Sequence, residues 1–294
     1  MAAFTINEEF LQQIETLQML IKNNTAGQFG GNHKSKRYGS SCEFADFREY
    51  VPGDDVSKID WNAYGKSENL FLKLFLDERQ MHTRIYIDAS RSMEFGCEQK
   101  AEQALKLAAA FAYLSVCQMD KVSIYLLKND CVQELVSGLI GKESYLNSIG
   151  VLNDVTFEGD CCISQAILKE NVGYGDGMSL IISDFLTEND FESAIEKLTE
   201  KKRHVFCMQI LSEEEITPVV RGKVHFYDSE NGEKTYRKNI DREIARSYKA
   251  ALEYSIDRIR NYCAARNADY MLVRAQDSLS KILLENLVDV GVLK

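Results

Sequence analysis

Residues 83–92, with the sequence TRIYIDASRS, decide how the rest of the chain is interpreted. The apolar run at residues 83–87 predicts a buried strand that stops on Asp88, and Ser90 and Ser92 follow at a spacing of two. Ligands of open α/β sheets bind at the carboxyl ends of strands, which is where Asp88 would lie. One carboxylate and two hydroxyls are hard oxygen donors of the kind that Mg²⁺ prefers. The stretch therefore predicts a strand followed by a candidate cation-binding turn.

The pattern downstream of this stretch alternates between strands and helices. Such alternation predicts a doubly wound α/β fold, in which a mostly parallel sheet is covered on both faces. A turn at residues 229–232 between two polar strands predicts a hairpin insertion near residues 223–239. We expect strands at residues 83–88, 121–127, 131–136, 178–184, 204–211 and 270–274, and helices at residues 98–119, 144–152, 164–170, 190–199, 241–266 and 278–287.

The first 78 residues differ from the rest in pattern. The sequence predicts a helix with a capping box of Thr5 and Glu8 and an apolar face that includes Ile14. A Gly-rich basic loop at residues 27–39, irregular structure at 41–66 and a strand at 69–77 are expected to follow. We therefore predict that residues 1–78 form a segment packed on a main domain at residues 79–294.

Composition narrows the class of protein. The chain of 294 residues carries 35 Lys and Arg against 45 Asp and Glu, a net charge of −10, and shows no basic stripe, which argues against binding nucleic acid or anionic membranes. The longest apolar stretch, at residues 107–117, is too short to span a bilayer. The 8 cysteines form no Cys-x-x-Cys pair, and the amino terminus lacks the pattern of a secretion signal. We predict a cytoplasmic protein with reduced thiols and without membrane insertion.

A second acid has the same context as Asp88. Asp184 follows the apolar run at residues 180–182, so it too ends a buried strand. In a parallel sheet both strand ends face one edge, so the two carboxylates are predicted to share a site. The alternative is that each acid caps the helix that follows it.

The spacing of these residues resembles a von Willebrand factor A-type domain. That resemblance implies a metal-ion-dependent adhesion site, in which two serines, a threonine and two aspartates hold a divalent cation. The implied metal-binding residues here are Asp88, Ser90 and Ser92, with Asp184 acting through water.

One position departs from that pattern. Cys161 stands where the threonine is expected, and a thiol is a poor ligand for Mg²⁺. Asp160 and Ser164 are the candidate substitutes for the missing hydroxyl. The adhesion site is therefore predicted to be degenerate, and Mg²⁺ or Mn²⁺ is expected to bind weakly.

A block of motifs before the main domain resembles the bacterial domain-of-unknown-function family 58, in which such a block precedes an A-type domain. Members of that family are commonly associated with AAA+ ATPases of the MoxR class, which implies such an ATPase as partner. The resemblance is carried by His33-Lys34-Ser35, Glu43-Phe44, Arg48-Glu49-Tyr50, Pro52-Gly53-Asp54 and Ile59-Asp60-Trp61.

The same block has a physical interpretation of its own. Arg48, Asp54 and Asp60 lie close together in sequence around a turn, and Tyr50 and Trp61 flank them. A dense cluster of ion pairs and aromatic rings is typical of a structural clamp or of a partner-binding surface. A catalytic cluster is less consistent with the sequence, because no nucleophile and base stand out there.

Two functions follow from these observations. The leading hypothesis is a non-enzymatic protein-interaction module, in which an acidic side chain of the partner completes the coordination of the cation. The alternative is a metal-dependent hydrolase, in which Asp88, Asp184 and Mg²⁺ activate water. That enzyme needs a general base near the metal, for which the sequence offers Asp160 or Glu94.

Overall fold

The computed structural model describes residues 5–25, 34–38, 44–67, 69–78, 81–94, 100–186, 190–218, 222–227, 235–240 and 242–286. The chain divides into two compact units, a larger one of residues 1–29 and 81–294 and a smaller one of residues 30–80. The N-terminal helix is thus grouped with the larger unit, and the smaller unit ends close to the boundary predicted at residue 78. The predicted packing of the smaller unit on the larger one stays a prediction.

The helices and strands follow one another in a regular order. The first helix, α1 (Glu8–Thr25), belongs to the larger unit. The smaller unit contains β1 (Lys34–Tyr38), β2 (Phe44–Glu49), α2 (Trp61–Ser67) and β3 (Phe71–Glu78). The larger unit continues with β4 (His82–Asp88), α3 (Lys100–Cys117), β5 (Lys121–Lys128), β6 (Cys131–Leu139), α4 (Gly141–Ser148), α5 (Ile163–Lys169), β7 (Met178–Ser183), α6 (Glu192–Glu200), β8 (His204–Leu211), α7 (Glu213–Ile216), β9 (Gly222–Tyr227), β10 (Thr235–Ile240), α8 (Arg242–Ala265), β11 (Asp269–Arg274) and α9 (Leu279–Lys281).

The first helix, α1, is capped by Asn7. The Asn7 Oδ1 atom accepts a hydrogen bond from the backbone N–H of Phe10 at 2.9 Å, which is the contact of an N-cap residue. The predicted capping box of Thr5 and Glu8 is therefore wrong. The predicted apolar face is confirmed, because Ile14 is fully buried in the core of the larger unit.

The smaller unit contains an antiparallel sheet of three strands in the order β1-β3-β2. The helix α2 lies between β2 and β3 in the sequence. The expectations of a loop at residues 27–39 and of irregular structure at 41–66 are wrong over β1, β2 and α2. The strand β1, with the sequence KSKRY, shows no apolar alternation and pairs with β3 across an irregularity in register. Backbone pairing with a neighbouring strand stabilises it, and such pairing leaves no signal in the side-chain pattern.

The larger unit is built on a six-stranded sheet in the order β11-β8-β7-β4-β5-β6. All neighbouring strands are parallel except β5 and β6, which form an antiparallel pair at one edge. Counted within this sheet alone, the strands run 3-2-1-4-5-6, the order of a doubly wound α/β fold. The predicted doubly wound, mostly parallel sheet is confirmed.

Two apolar clusters lie on the two faces of this sheet. Ile85 and Ile87 of β4 belong to the cluster that includes α1, α3 and α4, whereas Tyr86 belongs to the cluster of α5, α6 and α8. Alternate side chains of a strand point to opposite faces, so β4 is buried on both sides. Burial on both faces explains why the central strands are continuous apolar runs in the sequence.

The strands β4 and β7 are parallel neighbours, with Ile85 opposite Leu180. The helix after β4, α3, packs on one face of the sheet, and the helix after β7, α6, packs on the other. A crevice forms at such a reversal, at the carboxyl ends of the strands. The prediction that these two strands are adjacent is confirmed. The carboxyl edge of β4 and β7 is therefore the candidate position for a functional site.

The remaining elements match the sequence with small differences. β9 and β10 pair in antiparallel register, as the predicted hairpin requires. The helix predicted at residues 144–152 is α4 followed by a 3₁₀ helix at Ile149–Asp154. The helix predicted at residues 278–287 is the short α9 followed by a π-helix at Ile282–Asn286, and residue 287 lies outside the described residues. The predicted start of α3 at residue 98 also lies outside them.

A polar network lies at the amino end of β4. Arg84 donates to Glu170 Oε1 at 2.5 Å, and the hydroxyl of Tyr86 donates to Glu170 Oε2 at 2.8 Å. Arg203, which is 6% exposed, donates to the carbonyl oxygen of His82. The side chain of His82 is thus surrounded by more positive than negative charge.

These surroundings set the protonation of His82. Burial, together with the charges of Arg84, Arg203 and Lys121, lowers the pKa of His82 to about 4. The ring is neutral at pH 7, and its Nε2 atom lies 2.9 Å from Ser123 Oγ. Below a pH of about 6.5 the unfolded chain binds a proton that the folded protein does not bind until about pH 4. The stability that neutral His82 contributes is therefore lost as the pH falls through this window.

The substitution His82→Asn is expected to make the free energy of unfolding less dependent on pH between pH 7 and pH 5. The wild type should lose about 1 kcal/mol more than the variant over this interval, after a discount for the partial solvent access of the ring. Urea unfolding at the two pH values measures the difference. An equal loss of unfolding free energy in both proteins would show that the pKa of His82 is not lowered in the folded state.

Candidate functional site at the carboxyl ends of β4 and β7

Two buried carboxylates close the turns that follow β4 and β7. Asp88 is 1% exposed and Asp184 is fully buried. The Oδ1 atom of each accepts a backbone N–H from two residues further on, at 3.0 Å from Ser90 for Asp88 and at 3.1 Å from Leu186 for Asp184. Such Asx turns reverse the chain after a strand. The alternative that these acids cap the next helices is therefore wrong, and their predicted proximity is supported by the strand pairing.

Ser183 links the two strand ends directly. Its hydroxyl donates to Asp88 Oδ2 at 2.6 Å and accepts the backbone N–H of Phe185 at 3.0 Å. Phe185 has a φ of +51°, a left-handed conformation that costs free energy in a residue other than glycine. Ser183 is not among the predicted site residues, although a hydroxyl at the end of an otherwise apolar strand indicates such a role in the sequence.

The two predicted serine ligands lie together beside Asp88. Ser90 is fully buried, Ser92 is half-buried, and their hydroxyl oxygens are 3.0 Å apart. Both belong to the turn that leads into a 3₁₀ helix at Arg91–Met93, where the fully buried Met93 anchors the loop to the core. The structure thus brings together Asp88, Ser90 and Ser92, as the sequence predicts.

The loop that contains Cys161 is fastened to the loop after β4. The backbone N–H of Glu158 donates to the carbonyl of Ala89 at 2.9 Å, and the N–H of Arg91 donates to the carbonyl of Gly159 at 3.0 Å. Gly159 has a φ of +77°, and a Cβ atom there would lie 2.8 Å from Asn129 Oδ1. The left-handed backbone conformation at this position therefore favours glycine, because other residues adopt it only at a cost in free energy.

Cys161 is fully buried in this loop. Burial raises the pKa of its thiol far above the usual value, and the charge of Asp88 raises it further. The side chain therefore remains a neutral thiol, whereas metal-binding cysteines are thiolates. Cys161 lies close enough to Asp88 for the two side chains to interact electrostatically, but its neutral thiol does not provide a ligand for Mg²⁺.

Lys100 is the main residue that the sequence analysis missed. This first described residue of α3 is 1% exposed, and its Nζ atom donates to Asp184 Oδ2 at 2.9 Å and to Glu215 Oε1 at 2.6 Å. Burial alone would lower the pKa of Lys100, but the charges of Asp184 and Glu215 outweigh burial and raise it. A signal was present in the sequence, because Lys100 shares a helical face with the buried residues Ala104 and Leu107.

Further hydrogen bonds connect Asp184 and Glu215 to the helices and strands around them. Gln209 of β8 is fully buried and donates to the carbonyl of Asp184 at 2.7 Å, while it accepts the hydroxyl of Tyr270 at 2.6 Å. The hydroxyl of Tyr248 on α8 donates to the carbonyl of Glu215 at 2.9 Å. The edge is therefore held by contacts from β8, β11, α3, α7 and α8.

The electrostatics of the site are dominated by its two strand-end acids. Burial raises the pKa of Asp88 to about 6, and the negative charge of Asp184 contributes in the same direction. Hydrogen bonds from Ser183 and Ser90 favour the ionised form and limit the rise. At pH 7 the edge therefore carries buried negative charge that needs a counter-charge.

The side chains present fit a divalent cation poorly. Asp88, Ser90 and Ser92 supply hard oxygen, but the position expected to carry a threonine holds the thiol of Cys161, and Asp184 is bound by an ammonium group. Mg²⁺ demands near-octahedral oxygen coordination, which this set does not complete. Among the residues that the structure describes, no group of three or more His, Cys, Asp and Glu side chains is arranged to hold a metal ion.

The polar residues of the predicted clamp stabilise turns within the smaller unit. Arg48 Nη2 donates to Asp54 Oδ1 at 2.7 Å, and Asp54 Oδ2 accepts the backbone N–H of Val51 at 2.9 Å. Asp60 accepts the backbone N–H of Asn62 at 2.9 Å at the start of α2. Its other oxygen, Oδ2, pairs with the ammonium of a lysine on β3 at 3.3 Å.

The aromatic residues of that block differ in exposure. Tyr50 is half-buried, and its backbone N–H donates to the carbonyl of Leu70 at 2.9 Å. Trp61 is 63% exposed and contacts the ring of Tyr64 edge to face. The predicted role of this block as a clamp or partner-binding surface stays a prediction.

Comparison with known proteins places the chain in a family. The family model described as "Protein of unknown function DUF58" matches residues 46–256, which is most of the chain. Uncharacterized proteins of Mycobacterium bovis and Mycobacterium tuberculosis are each 24% identical over 226 residues, which are 74% of this chain and 70% of each relative.

Solved structures with a similar course of the chain have low sequence identity to it. An aerotolerance-related membrane protein from Bacteroides fragilis, carrying multiple mutations to serine, is 15% identical and covers 72% of this chain and 99% of its own, with a TM-score of 0.42. The VWA domain of SpRpn10 is 11% identical and covers 71% of this chain and 95% of its own, with a TM-score of 0.39. No helix among the described residues has both the length and the apolar character needed to cross a membrane. The family predicted from the motifs at residues 33–61 is confirmed by the match over residues 46–256: this protein belongs to the DUF58 family.

Proposed function

We propose that this protein is a non-enzymatic protein-interaction module that binds its partner at the carboxyl edge of the six-stranded sheet. The observation that carries this proposal is that both strand-end acids are buried and already engaged. Asp88 and Asp184 each accept hydrogen bonds through both carboxylate oxygens from groups of the chain itself. Acids engaged in this way hold loops in place, and they are not positioned to take a proton from a substrate.

The rim of this edge offers side chains for contact with a partner. Arg91 and Glu94 are exposed on the loop after β4, Glu158 is exposed on the adjoining loop, and Leu186 is 38% exposed after β7. Backbone hydrogen bonds fasten the loop after β4 to the adjoining loop, and the Asx turn at Asp184 holds the backbone of Leu186, so the rim is held before binding. A preorganised surface loses little conformational entropy on association, which favours binding.

The partner we propose is a MoxR-type AAA+ ATPase, and the role we propose is chaperone-like or assembly work in the cytoplasm. Membership of the DUF58 family supports this choice, because the resemblance to that family is what implies such an ATPase. The net charge of −10 argues against general attraction of acidic partners, so recognition should be local to the rim.

We also propose that Mg²⁺ or Mn²⁺ binds at this edge only weakly, through Asp88, Ser90 and Ser92, with Asp184 acting through water. Weak binding is expected because the thiol of Cys161 replaces a hydroxyl and because Lys100 already pairs with Asp184. A metal-dependent hydrolase is the competing function. Its candidate bases, Asp160 and Glu94, are both exposed, and ester turnover that disappears in Asp88→Ala would favour the enzyme.

The substitution Cys161→Thr is expected to tighten Mg²⁺ and Mn²⁺ binding several-fold, since it replaces a soft, neutral thiol by a hard hydroxyl ligand. Calorimetric titration of the wild type and the variant measures the change. Cys131→Thr, at the exposed start of β6, is the matched control and should leave affinity unchanged. Equal affinities for wild type and Cys161→Thr would show that the thiol does not weaken the site.

The substitution Asp88→Ala is expected to lower the free energy of unfolding by roughly 1–3 kcal/mol, because it leaves the Ser183 hydroxyl and the Ser90 N–H without their buried acceptor. Asp88→Asn keeps one acceptor oxygen and should cost less. Urea unfolding measures both. If Asp88→Ala is as stable as the wild type, these hydrogen bonds do not support the edge.

The substitution Arg91→Glu is expected to weaken capture of the MoxR-type ATPase about tenfold and to leave the melting temperature unchanged, because it reverses one exposed rim charge. Capture of the purified ATPase by immobilised wild type and variant measures this. Lys249→Glu, which makes the same charge reversal on the exposed face of α8, is the matched control and should bind normally.

Two outcomes would contradict this part of the proposal. No capture by the wild type would mean that the proposed partner is wrong. Equal capture by the wild type and by Arg91→Glu would mean that the contact lies elsewhere. Trp61→Ala then tests the exposed aromatic surface of the smaller unit.

A further inference from the structure

Lys100 is a buried cation at the same edge as the strand-end acids. Its side chain is 1% exposed and lies at the start of α3. The Nζ atom is 2.9 Å from Asp184 Oδ2 and 2.6 Å from Glu215 Oε1. An ammonium group is costly to bury unless it is paired, and the positive end of a helix dipole disfavours it further. Its retention here requires the two carboxylates around it.

The charge balance of the edge is therefore met by the chain itself. Asp88 and Asp184 end adjacent parallel strands and would repel each other without a counter-charge. A bound divalent cation is a large local charge that can supply this balance. In this protein the ammonium of Lys100 binds the carboxylate of Asp184 instead.

We propose that the Lys100 ammonium is a built-in substitute for the divalent cation, so that the carboxyl edge keeps its shape and meets its partner without metal. This inference rests on the proposed function and deepens it, because it states the chemical form of the surface that the partner contacts.

The geometry explains why a cation does not displace the lysine. Both carboxylate oxygens of Asp184 are occupied, one by Lys100 and one by the backbone N–H of Leu186. Glu215 holds the ammonium from the other side and is itself fixed, because its Oε2 atom accepts the backbone N–H of Ser212 at 2.7 Å in a capping box. A divalent cation would have to approach a fixed positive charge away from water, where repulsion is weakly screened.

A simpler role for Lys100 is a buried salt bridge that only stabilises the fold. The two roles make different predictions for a variant without the charge. Loss of a purely stabilising bridge lowers stability and creates no affinity for metal. Loss of a substitute cation also lowers stability, but it leaves a carboxylate pair that a divalent cation can neutralise and thereby stabilise.

The test compares Lys100→Met with Lys106→Met, which replaces a lysine six residues further along the same helix whose partly exposed side chain pairs with Glu102. Each protein is titrated with Mn²⁺ by calorimetry, and its melting temperature is measured in Mn²⁺ and in EDTA. We expect Lys100→Met to melt below the wild type in EDTA, to bind Mn²⁺ at least about tenfold more tightly than the wild type and to be stabilised by it. Mn²⁺ should raise the melting temperature of the wild type and of Lys106→Met far less than that of Lys100→Met, because their site is expected to bind the cation only weakly.

A second variant keeps the test decisive if Lys100→Met does not fold. In the double variant Lys100→Met/Glu215→Gln the unpaired charge of Glu215 is removed, and the glutamine retains the capping box. The same gain in Mn²⁺ affinity is expected. The proposal is overturned if a folded variant gains no affinity, or if Mn²⁺ stabilises the wild type as much as it stabilises that variant.

A separate measurement distinguishes this inference from the proposed function. Capture of the ATPase by the wild type should be equal in Mg²⁺ and in EDTA. Capture that is lost in EDTA overturns the inference and leaves the interaction module in place. Failure of capture in both conditions contradicts the proposed partner, while the Mn²⁺ results still decide the role of Lys100.

Discussion

The parallel pairing of β4 with β7 is the constraint on which the rest of this structure depends. It sets two buried carboxylates, Asp88 and Asp184, at one edge of the sheet, where each closes the turn after its strand. The surrounding elements then compensate this negative charge. Ser183 donates to one acid, and Lys100 on α3 donates to the other. The packing of α3 and α7 at this edge thus provides the positive charge, Lys100, and its second carboxylate partner, Glu215, that the buried acid Asp184 requires.

The sequence predicts this frame well because its signals are local. The apolar runs of β4 and β7, and the acid that ends each, are visible in short windows of the chain. The role of Lys100 is not visible in this way, because its partners Asp184 and Glu215 lie 84 and 115 residues away. The strand β1 escapes prediction for a related reason, since its pairing with β3 involves backbone groups that every sequence possesses.

The motif residues of the smaller unit are of two kinds, those with hydrogen bonds inside the unit and those exposed at its surface. Arg48, Asp54 and Asp60 fix a turn and a helix start by hydrogen bonds to nearby backbone and side chains. Trp61 instead remains 63% exposed beside Tyr64. Residues that are close together in the sequence therefore have different roles: Arg48, Asp54 and Asp60 stabilise the smaller unit, whereas Trp61 is exposed on its surface.

The separation in sequence of the groups at the carboxyl edge has a consequence for folding. The Ser183–Asp88 hydrogen bond spans 95 residues, and the Lys100–Glu215 pair spans 115. We expect contacts between residues so far apart in sequence to form late, because the entropy of closing a long loop must be overcome first, whereas the antiparallel β5–β6 pair is local. The edge is therefore expected to assemble only after β4 and β7 have paired and α3 and α7 have packed beside them. A nascent or partly unfolded chain presents Asp88 without its counterparts, so the intact edge exists only on a completely folded molecule.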